Sequence, residues 1–262
     1  LARSPGVERV YTAPGNAGTP NNVPLEAGGE KEFAGLADFA RRERIDLTVV
    51  GPEAPLCGGI ADHFRARGLR LFGPCRDAAR LEGDKAFARQ FMKRHDIPHP
   101  AFGVYDRLEG AQDHLRALPE GRVVVKASGL AGGKGVLVSA DKTELAAFGA
   151  AILSGGDSLL LEECLEGYEI SLFALTDGKH HVLLPVCADF KRAHDGDTGP
   201  NTGGIGSICP VPRVSGPQIK RLEQDIVGPV FEALKQDRLD YCGVLYFGLM
   251  ITSRGPRVLE FN

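Results

Sequence analysis

The segment of this chain with the most evident chemistry is a glycine-rich run flanked by two lysines. Val123–Lys126 has the pattern of a strand, residues 127–135 (ASGLAGGKG) follow, and Val136–Ser139 continues as a second strand. A Walker loop or a dinucleotide fingerprint requires a helix after its glycines, so both fit this context poorly. A glycine-rich hairpin between two strands can instead surround a triphosphate with backbone N–H groups and a lysine. The pattern predicts a phosphate-binding flap; the alternative is a flexible hairpin with an incidental lysine.

Two polar segments further along the chain could contact the rest of a nucleotide or a second substrate. The acidic link 162–169 follows a very apolar strand and could offer backbone groups to a purine and a carboxylate to a ribose, although a solvated acidic turn has the same composition. Residues 189–206 (DFKRAHDGDTGPNTGGIG) predict a long polar loop. Loops of this length in compact domains are usually functional, and this one indicates an anion-reading surface.

The last predicted strand ends with two oxygen-bearing side chains. Glu260 and Asn262 are two residues apart, so strand alternation places both on one face, where they could share a hard cation such as Mg²⁺. The E-x-N pattern is common by chance, so it indicates a metal site only in combination with the phosphate-binding segments described above.

The elements that must position these residues fall into two patterns. The first part alternates strands and helices as a parallel α/β sheet does, with strands at 9–13, 45–50 and 69–72 and helices at 33–43 and 59–67. The turns at 14–18 and 51–55 would lie at the carboxyl edge of that sheet, where such folds bind ligands, or would be ordinary tight turns. The second part follows a helix at 77–95 and favours antiparallel sheet, with strands at 159–161, 170–176 and 180–186, helices at 143–153 and 218–235, and a terminal hairpin of 242–252 with 257–261.

Composition excludes several classes of protein. The chain has 262 residues, 43% of them hydrophobic, and a formal net charge of −3. No apolar run approaches the roughly 18 residues of a membrane span, and no basic stripe is present to follow a nucleic-acid backbone. The six cysteines include no C-x-x-C pair, which favours a reduced cytoplasmic protein without a structural metal. We therefore expect small-molecule substrates and no nucleic acid or membrane partner.

Taken in order, these segments resemble the phosphoribosylamine glycine ligase family of the ATP-grasp superfamily. The resemblance spans nearly the whole chain and is carried by PGNAGT (14–19), VVGPEAPL (49–56), FGP (72–74), LEGDKAFA (81–88), VVKASGLAGGKGV (124–136), LEECLEGYEIS (161–171), DFKRAHDGDTGPNTGGIG (189–206) and GPRVLEFN (255–262). It implies a mixed α/β and α+β fold: a Rossmann-like parallel sheet at 1–83, called the pre-ATP-grasp domain, and an ATP-grasp domain at 84–262 with a glycine-rich lid at about 121–167.

The resemblance also implies roles for individual residues. ATP phosphates would be bracketed by Lys85 and Lys126, with a glycine-rich flap of Gly129, Gly132, Gly133, Lys134 and Gly135, and Lys126 and Arg192 would be catalytic. Adenine would be lined by Glu162, Glu163 and Leu165, and the ribose held by Glu169. Mg²⁺, or Mn²⁺ in its place, would be bound by Glu260 and Asn262. Glycine and 5-phosphoribosylamine would be faced by Gly15, Asn16, Glu53, Asp189, Lys191, Arg192, Asn201, Thr202, Gly203 and Gly204.

The chain departs from the family pattern at several places. The family's first strand would precede Leu1 and its C-terminal domain would follow Asn262, so we expect a chain truncated at both ends. The link 154–158 is shorter than usual, and Phe190, Ile205 and residues 207–208 differ from the common residues.

The expected activity is ATP-dependent amide formation between glycine and 5-phosphoribosylamine through glycyl phosphate, in purine biosynthesis, by a cytoplasmic protein that we expect to be a monomer. The alternatives are another carboxylate-amine ligase of the superfamily and a noncatalytic ATP-binding module. A nicotinamide dehydrogenase is a more distant alternative, because no G-x-G-x-x-G opens a helix.

Overall fold

The computed structural model describes residues 1–24, 30–130, 135–196 and 198–262. The chain divides into two compact units, Leu1–Arg76 (unit 1) and Asp77–Asn262 (unit 2).

Unit 1 is a small α/β unit with parallel strand pairing. Its elements are α1 (Glu30–Arg42), β1 (Thr48–Val49), α2 (Glu53–Cys57), α3 (Ile60–Arg65) and β2 (Leu71–Phe72). Strands β1 and β2 are parallel, with Thr48 opposite Leu71. Apolar residues at helical spacing, including Phe33, Ala37 and Phe64, are buried and form its core. The predicted parallel α/β rhythm is confirmed.

One local prediction in unit 1 is wrong and another is incomplete. The strand expected at 9–13 is reduced to a single bridge between Thr12 and Asn22, because this segment bonds to the loop that follows it rather than to a sheet strand. The break expected at 51–55 contains the start of helix α2. Pro55 is tolerated there because the first turn of a helix does not use its N–H groups within the helix.

Unit 2 begins with two short helices and an antiparallel sheet. Helix α4 (Arg76–Gly83) starts at the unit boundary and α5 (Lys85–Arg94) follows. The sheet contains β3 (Phe102–Tyr105), β4 (Val123–Ala127), β5 (Val136–Ser139) and β6 (Leu159–Glu163), in the order β3-β6-β4-β5. Helices α6 (Leu108–Ala117) and α7 (Lys142–Ser154) pack on it through a core that includes Leu115, Val125, Leu145 and Leu161.

A second antiparallel sheet completes unit 2. Its strands are β7 (Tyr168–Thr176), β8 (His181–Leu183), β11 (Gly243–Thr252) and β12 (Gly255–Phe261), in the order β12-β11-β7-β8. Strands β9 (Ala188–His194) and β10 (Thr198–Ile208) form a separate hairpin. The remaining helical elements are α8 (Gly216–Leu222), a π-helical turn (Glu223–Val227) and α9 (Gly228–Gln236). Leu172, Phe247 and Val258 are fully buried in this sheet.

The structure corrects several predicted elements of unit 2. The helix expected at 77–95 is two helices, because Asp84 leaves the helical conformation and caps α5 by accepting a hydrogen bond from Phe87 N at 2.9 Å. The helix expected at 218–235 contains the π-helical turn. Pro229 has no N–H to donate to the carbonyl four residues before it, and Gly228 N donates five residues back to Glu223 O instead.

Other strand boundaries shift by a few residues. The strand expected at 180–186 is limited to β8, and the strand expected at 159–161 continues through Glu163. Strand β3 and helix α6 were not predicted. Within the described ranges, no helix combines the length and apolar character needed to cross a membrane.

Candidate active site

A buried cluster of charges joins α5, β4 and β6 in unit 2. The Glu162 side chain is 2% exposed and accepts hydrogen bonds from Arg89 Nε at 2.6 Å and Arg89 Nη2 at 3.0 Å. Its other partner is Lys126 Nζ, which lies 2.8 Å from Oε2. Arg89 Nη2 also donates to Leu259 O at 2.6 Å, so one guanidinium links α5, β6 and β12.

Strand register explains why Lys126 and Glu162 meet. In the β4–β6 pair Val124 lies opposite Glu162, and Lys126, two residues further along β4, projects from the same face. Burial acts to raise the pKa of Glu162, but the charges of Lys126 and Arg89 and their hydrogen bonds outweigh it and lower the pKa to about 2. The carboxylate is therefore ionised at neutral pH, and the three side chains carry a net positive charge suited to an anion.

Lys85 brings a further cation to the end of β4. Its backbone N donates to Ser128 O at 2.8 Å and its Nζ donates to Gly129 O at 2.9 Å. Burial, followed by the nearby charge of Lys126, lowers the pKa of Lys85. A phosphate bound at these two partly buried cations would reduce the repulsion between them.

The start of α5 is locked to the end of β4 through Ser128. The buried Ser128 hydroxyl donates to Asp84 Oδ1 at 2.9 Å and accepts from Ala86 N at 3.0 Å. Burial acts to raise the pKa of Asp84, but hydrogen bonds from Phe87 N, Ser128 and Arg80 lower it overall. Lys85 is thus held by the helix cap rather than by its own side chain alone.

The two described ends of the glycine-rich run meet. Ala127 N donates to Gly135 O at 2.9 Å, which closes the hairpin predicted from sequence. At the other end, Gly129 N donates to Asp157, at 2.8 Å to Oδ2 and 3.1 Å to Oδ1. The remaining flap residues of the prediction, Gly132, Gly133 and Lys134, lie outside the described residues.

The acidic segment predicted to line adenine and ribose is partly strand. Glu163 ends β6; its Oε1 accepts from Ala101 N at 3.0 Å and its Oε2 lies 3.5 Å from Arg254 Nη2. Leu165 is half-buried in the link between β6 and β7, and Glu169 is exposed on β7. Contacts with a base or a ribose stay a prediction for these residues.

Carboxylates from two strands flank one lysine of the β9–β10 hairpin. Lys191 Nζ lies 3.5 Å from Glu260 Oε1 on β12 and 3.7 Å from Glu169 Oε2 on β7. Burial acts to lower the pKa of Lys191, but Glu260 and the other neighbouring oxygens raise it overall. The position between these two carboxylates favours positive charge, and carboxylate oxygens are hard donors. It therefore fits a divalent cation such as Mg²⁺.

Glu260 reaches this position over a glycine. Gly248 lies opposite Glu260, and a Cβ on Gly248 would come within 2.9 Å of Glu260 Cγ. Asn262 is exposed, and its backbone exchanges hydrogen bonds with Tyr246. No group of three or more His, Cys, Asp or Glu side chains in the described part of the chain could hold a metal. A cation here would take its remaining ligands from water or phosphate.

The polar stretch 189–206 is a hairpin, which corrects the loop predicted from sequence. Its strands are irregularly paired, and hydrogen bonds from side chains to the backbone hold them: Thr202 Oγ1 donates to Lys191 O at 2.8 Å and Arg192 Nη1 to Gly199 O at 2.6 Å. Gly204 has φ +105°, and a Cβ there would lie 2.9 Å from Asp189 Oδ1. The predicted residues Asp189, Lys191, Arg192, Asn201, Thr202, Gly203 and Gly204 therefore share one hairpin; the Asn201 side chain lies outside the description.

The remaining predicted substrate residues lie in unit 1. Gly15 has φ +77°, and a Cβ there would lie 2.1 Å from Asn22 Oδ1, so only glycine fits. Asn16 closes the turn by accepting from Gly18 N at 2.8 Å. Glu53 is the first residue of α2.

Sequence reasoning missed Arg89, Asp157 and Ser128; the one available signal was the position of Arg89 on the apolar face of α5.

Both parts of the chain match one known family. Residues 1–82 match the N domain of phosphoribosylglycinamide synthetase, and residues 83–262 match its ATP-grasp (A) domain. The chain belongs to the phosphoribosylglycinamide synthetase family. The resemblance inferred from sequence is confirmed.

Individual relatives agree with this assignment. Phosphoribosylamine glycine ligase from Allochromatium vinosum is 46% identical over 270 residues, which cover all of this chain and 63% of that protein. The crystal structure of phosphoribosylamine glycine ligase from Thermotoga maritima has a TM-score of 0.78 and 32% identity, covering 96% of this chain and 62% of that one. The chain thus spans less than two thirds of the length of these relatives.

More distant structures share the fold alone. The biotin carboxylase domain of 2-oxoglutarate carboxylase from Hydrogenobacter thermophilus, solved with MgADP, has a TM-score of 0.66 and 21% identity, covering 88% of this chain and 50% of that one. The predicted fold class, a parallel α/β unit followed by an ATP-grasp unit, is confirmed.

Proposed function

We propose that this chain catalyses the ATP-dependent ligation of glycine to 5-phosphoribosylamine, which gives glycinamide ribonucleotide, ADP and phosphate in purine biosynthesis. The observation that carries the proposal is the cluster of Lys85 and Lys126 beside the glycine-rich hairpin, in a chain that matches both family domains. In this proposal ATP lies between the glycine-rich hairpin of β4 and β5 and the second sheet of unit 2.

The nucleotide contacts follow the charges of the site. Lys85 and Lys126 bind the phosphates, and Gly129 and Gly135, at the described ends of the glycine-rich run, lie where the sequence predicts backbone N–H groups to contact them. Glu162 keeps Lys126 oriented, while backbone groups of 162–165 line the adenine and Glu169 holds the ribose. The lid comprises about residues 121–167, in an ATP-grasp domain that starts near residue 84.

The chain's own residues stabilise charge in a phosphoryl transfer followed by an acyl transfer. A carboxylate oxygen of glycine bonds to the γ-phosphorus as the bond to ADP breaks, giving glycyl phosphate. The amine of phosphoribosylamine then attacks the carbonyl carbon, phosphate leaves and the amine loses a proton. Lys126 and Arg192 counter the charge on the transferred group. Closure of the glycine-rich hairpin excludes water from the acyl phosphate.

Mg²⁺, or Mn²⁺ in its place, would be held by Glu260 and Asn262 and would neutralise phosphate charge when bound. The residues expected to contact glycine and 5-phosphoribosylamine are those of the β9–β10 hairpin and, as the sequence predicts, Gly15, Asn16 and Glu53. We further propose that the protein acts as a monomer in the cytoplasm.

The test is ADP release from the 262-residue chain with MgATP, adding glycine and freshly prepared phosphoribosylamine separately and together. The proposal predicts ADP formation only with both substrates. ADP release that depends on a different acid or amine would indicate another carboxylate-amine ligase. Tight ATP binding without turnover under any combination would contradict the proposal and indicate a nucleotide-binding module.

A further inference from the structure

Two of the six cysteines lie side by side at the base of the β9–β10 hairpin. Ala188 lies opposite Ile208 at the end of this hairpin. Extending that register by one residue sets Cys187 opposite Cys209, and the two thiols are within hydrogen-bonding contact. Opposed positions on antiparallel strands have Cα atoms about 4.5–5.5 Å apart, and a disulfide requires about 4.4–6.8 Å. The backbone register therefore meets the main geometric condition for a disulfide.

Both side chains point towards the same acceptor. Cys187 Sγ lies 3.5 Å from Pro185 O, and Cys209 Sγ lies 4.0 Å from the same oxygen. Burial raises the pKa of the Cys187 thiol, and the adjacent Cys209 thiol raises it further through a hydrogen bond and its charge. The two sulfur atoms are thus close enough for Cys209 to affect the ionisation of Cys187.

Cys187 is held in place by its neighbours, whereas Cys209 is open to solvent. Cys187 exchanges two backbone hydrogen bonds with Ser171 of β7, at 2.7 and 2.9 Å, and is half-buried. Cys209 follows the end of β10 and is exposed. An oxidant in solution can therefore reach Cys209 first, while Cys187 is held in place to react next.

We propose that Cys187 and Cys209 form a reversible disulfide that closes the base of the β9–β10 hairpin, with a peroxide as oxidant. Cys209 Sγ attacks the peroxide and becomes a sulfenic acid as the O–O bond breaks. Cys187 Sγ then bonds to that sulfur and releases water, so two thiols and one hydrogen peroxide give one disulfide and two waters. The disulfide closes a ring that contains Lys191, Arg192 and Thr202, and it does not depend on the reaction proposed above.

Trypsin separates the two cysteines, which makes the bond directly measurable. Cys187 lies in the tryptic peptide 180–191 and Cys209 in 193–213, and neither peptide contains another cysteine. The 262-residue chain is treated with hydrogen peroxide, free thiols are alkylated, and the unreduced digest is analysed by mass spectrometry. The proposal predicts one major linked species, 180–191 joined to 193–213, lighter than its two peptides by two hydrogens and lost on treatment with dithiothreitol.

Cys209→Ala removes an exposed side chain and should abolish the linked species, whereas the control Cys164→Ser, at another half-buried cysteine, should retain it. The yield should not change when the protein is diluted, because the bond forms within one chain. A yield that falls on dilution, links from other cysteines that predominate, or two over-oxidised but unlinked thiols would each overturn the proposal.

Discussion

Replacing Glu162 by glutamine tests the buried charge cluster most directly. The substitution keeps the size of the side chain but leaves Arg89 and Lys126, both largely buried, without their shared anion. Breaking a buried ion pair by removing one partner costs about 3–5 kcal/mol. The lowering of the Glu162 pKa from 4.5 to about 2 gives a second figure of about 3 kcal/mol, at about 1.4 kcal/mol per tenfold change. We therefore expect Glu162→Gln to lower the free energy of unfolding by about 3 kcal/mol at neutral pH.

The same cluster predicts a pH dependence whose sign is set by the lowered pKa. The stabilisation is fully present above 4.5, the value in the unfolded chain, and is lost as the pH falls towards about 2. The difference in unfolding free energy between the original chain and Glu162→Gln should therefore shrink by about 1 kcal/mol between about pH 7 and pH 4. Urea unfolding followed by circular dichroism at several pH values measures this difference.

Glu163→Gln is the matched control, because this neighbouring carboxylate keeps its hydrogen bond from Ala101 N as an amide and loses only a 3.5 Å contact with exposed Arg254. We expect a change below about 0.5 kcal/mol. Combining Glu162→Gln with Arg89→Met should cost less than the sum of the single changes, since each removes part of the same interaction. A cost for Glu162→Gln no larger than that of Glu163→Gln, or one that grows as the pH falls, would refute the reasoning.

Three further predictions concern the site and unit 1. Lys126→Met should reduce ADP formation by about 10²–10³-fold in a steady-state assay, because a cation at the transferring phosphate is lost, and near-unchanged turnover would remove Lys126 from the site. Glu260→Gln should weaken Mn²⁺ binding about tenfold or more in the presence of ADP, measured by calorimetry, and unchanged affinity would place the metal elsewhere. Gly15→Ala should destabilise unit 1 by about 1–3 kcal/mol in thermal unfolding, because of its φ of +77° and the clash with Asn22, and a neutral result would show that this turn rearranges freely.

Short-range patterns in the sequence were sufficient for much of the fold. Strand β5 has the predicted bounds, the glycine-rich hairpin closes where the pattern placed it, and the terminal hairpin differs by one or two residues. These features depend on alternation, turn residues and capping, which act over a few positions. The same patterns mispredicted the polar stretch 189–206 as a loop, because its glycines, aspartates and threonines are typical of loops. Its strands form through cross-strand and side-chain hydrogen bonds that composition does not reveal.

The sequence likewise predicted the types of residue at the candidate site, including two lysines and two oxygen-bearing side chains. It could not predict how those residues are partnered. Arg89 binds Glu162 across 73 residues of chain, and Lys191 lies between carboxylates of two different strands. Such contacts depend on strand order, register and the burial of charge. Local propensity determined which elements form, and only the tertiary structure decided which charges meet, because buried charges must find partners wherever packing brings them together.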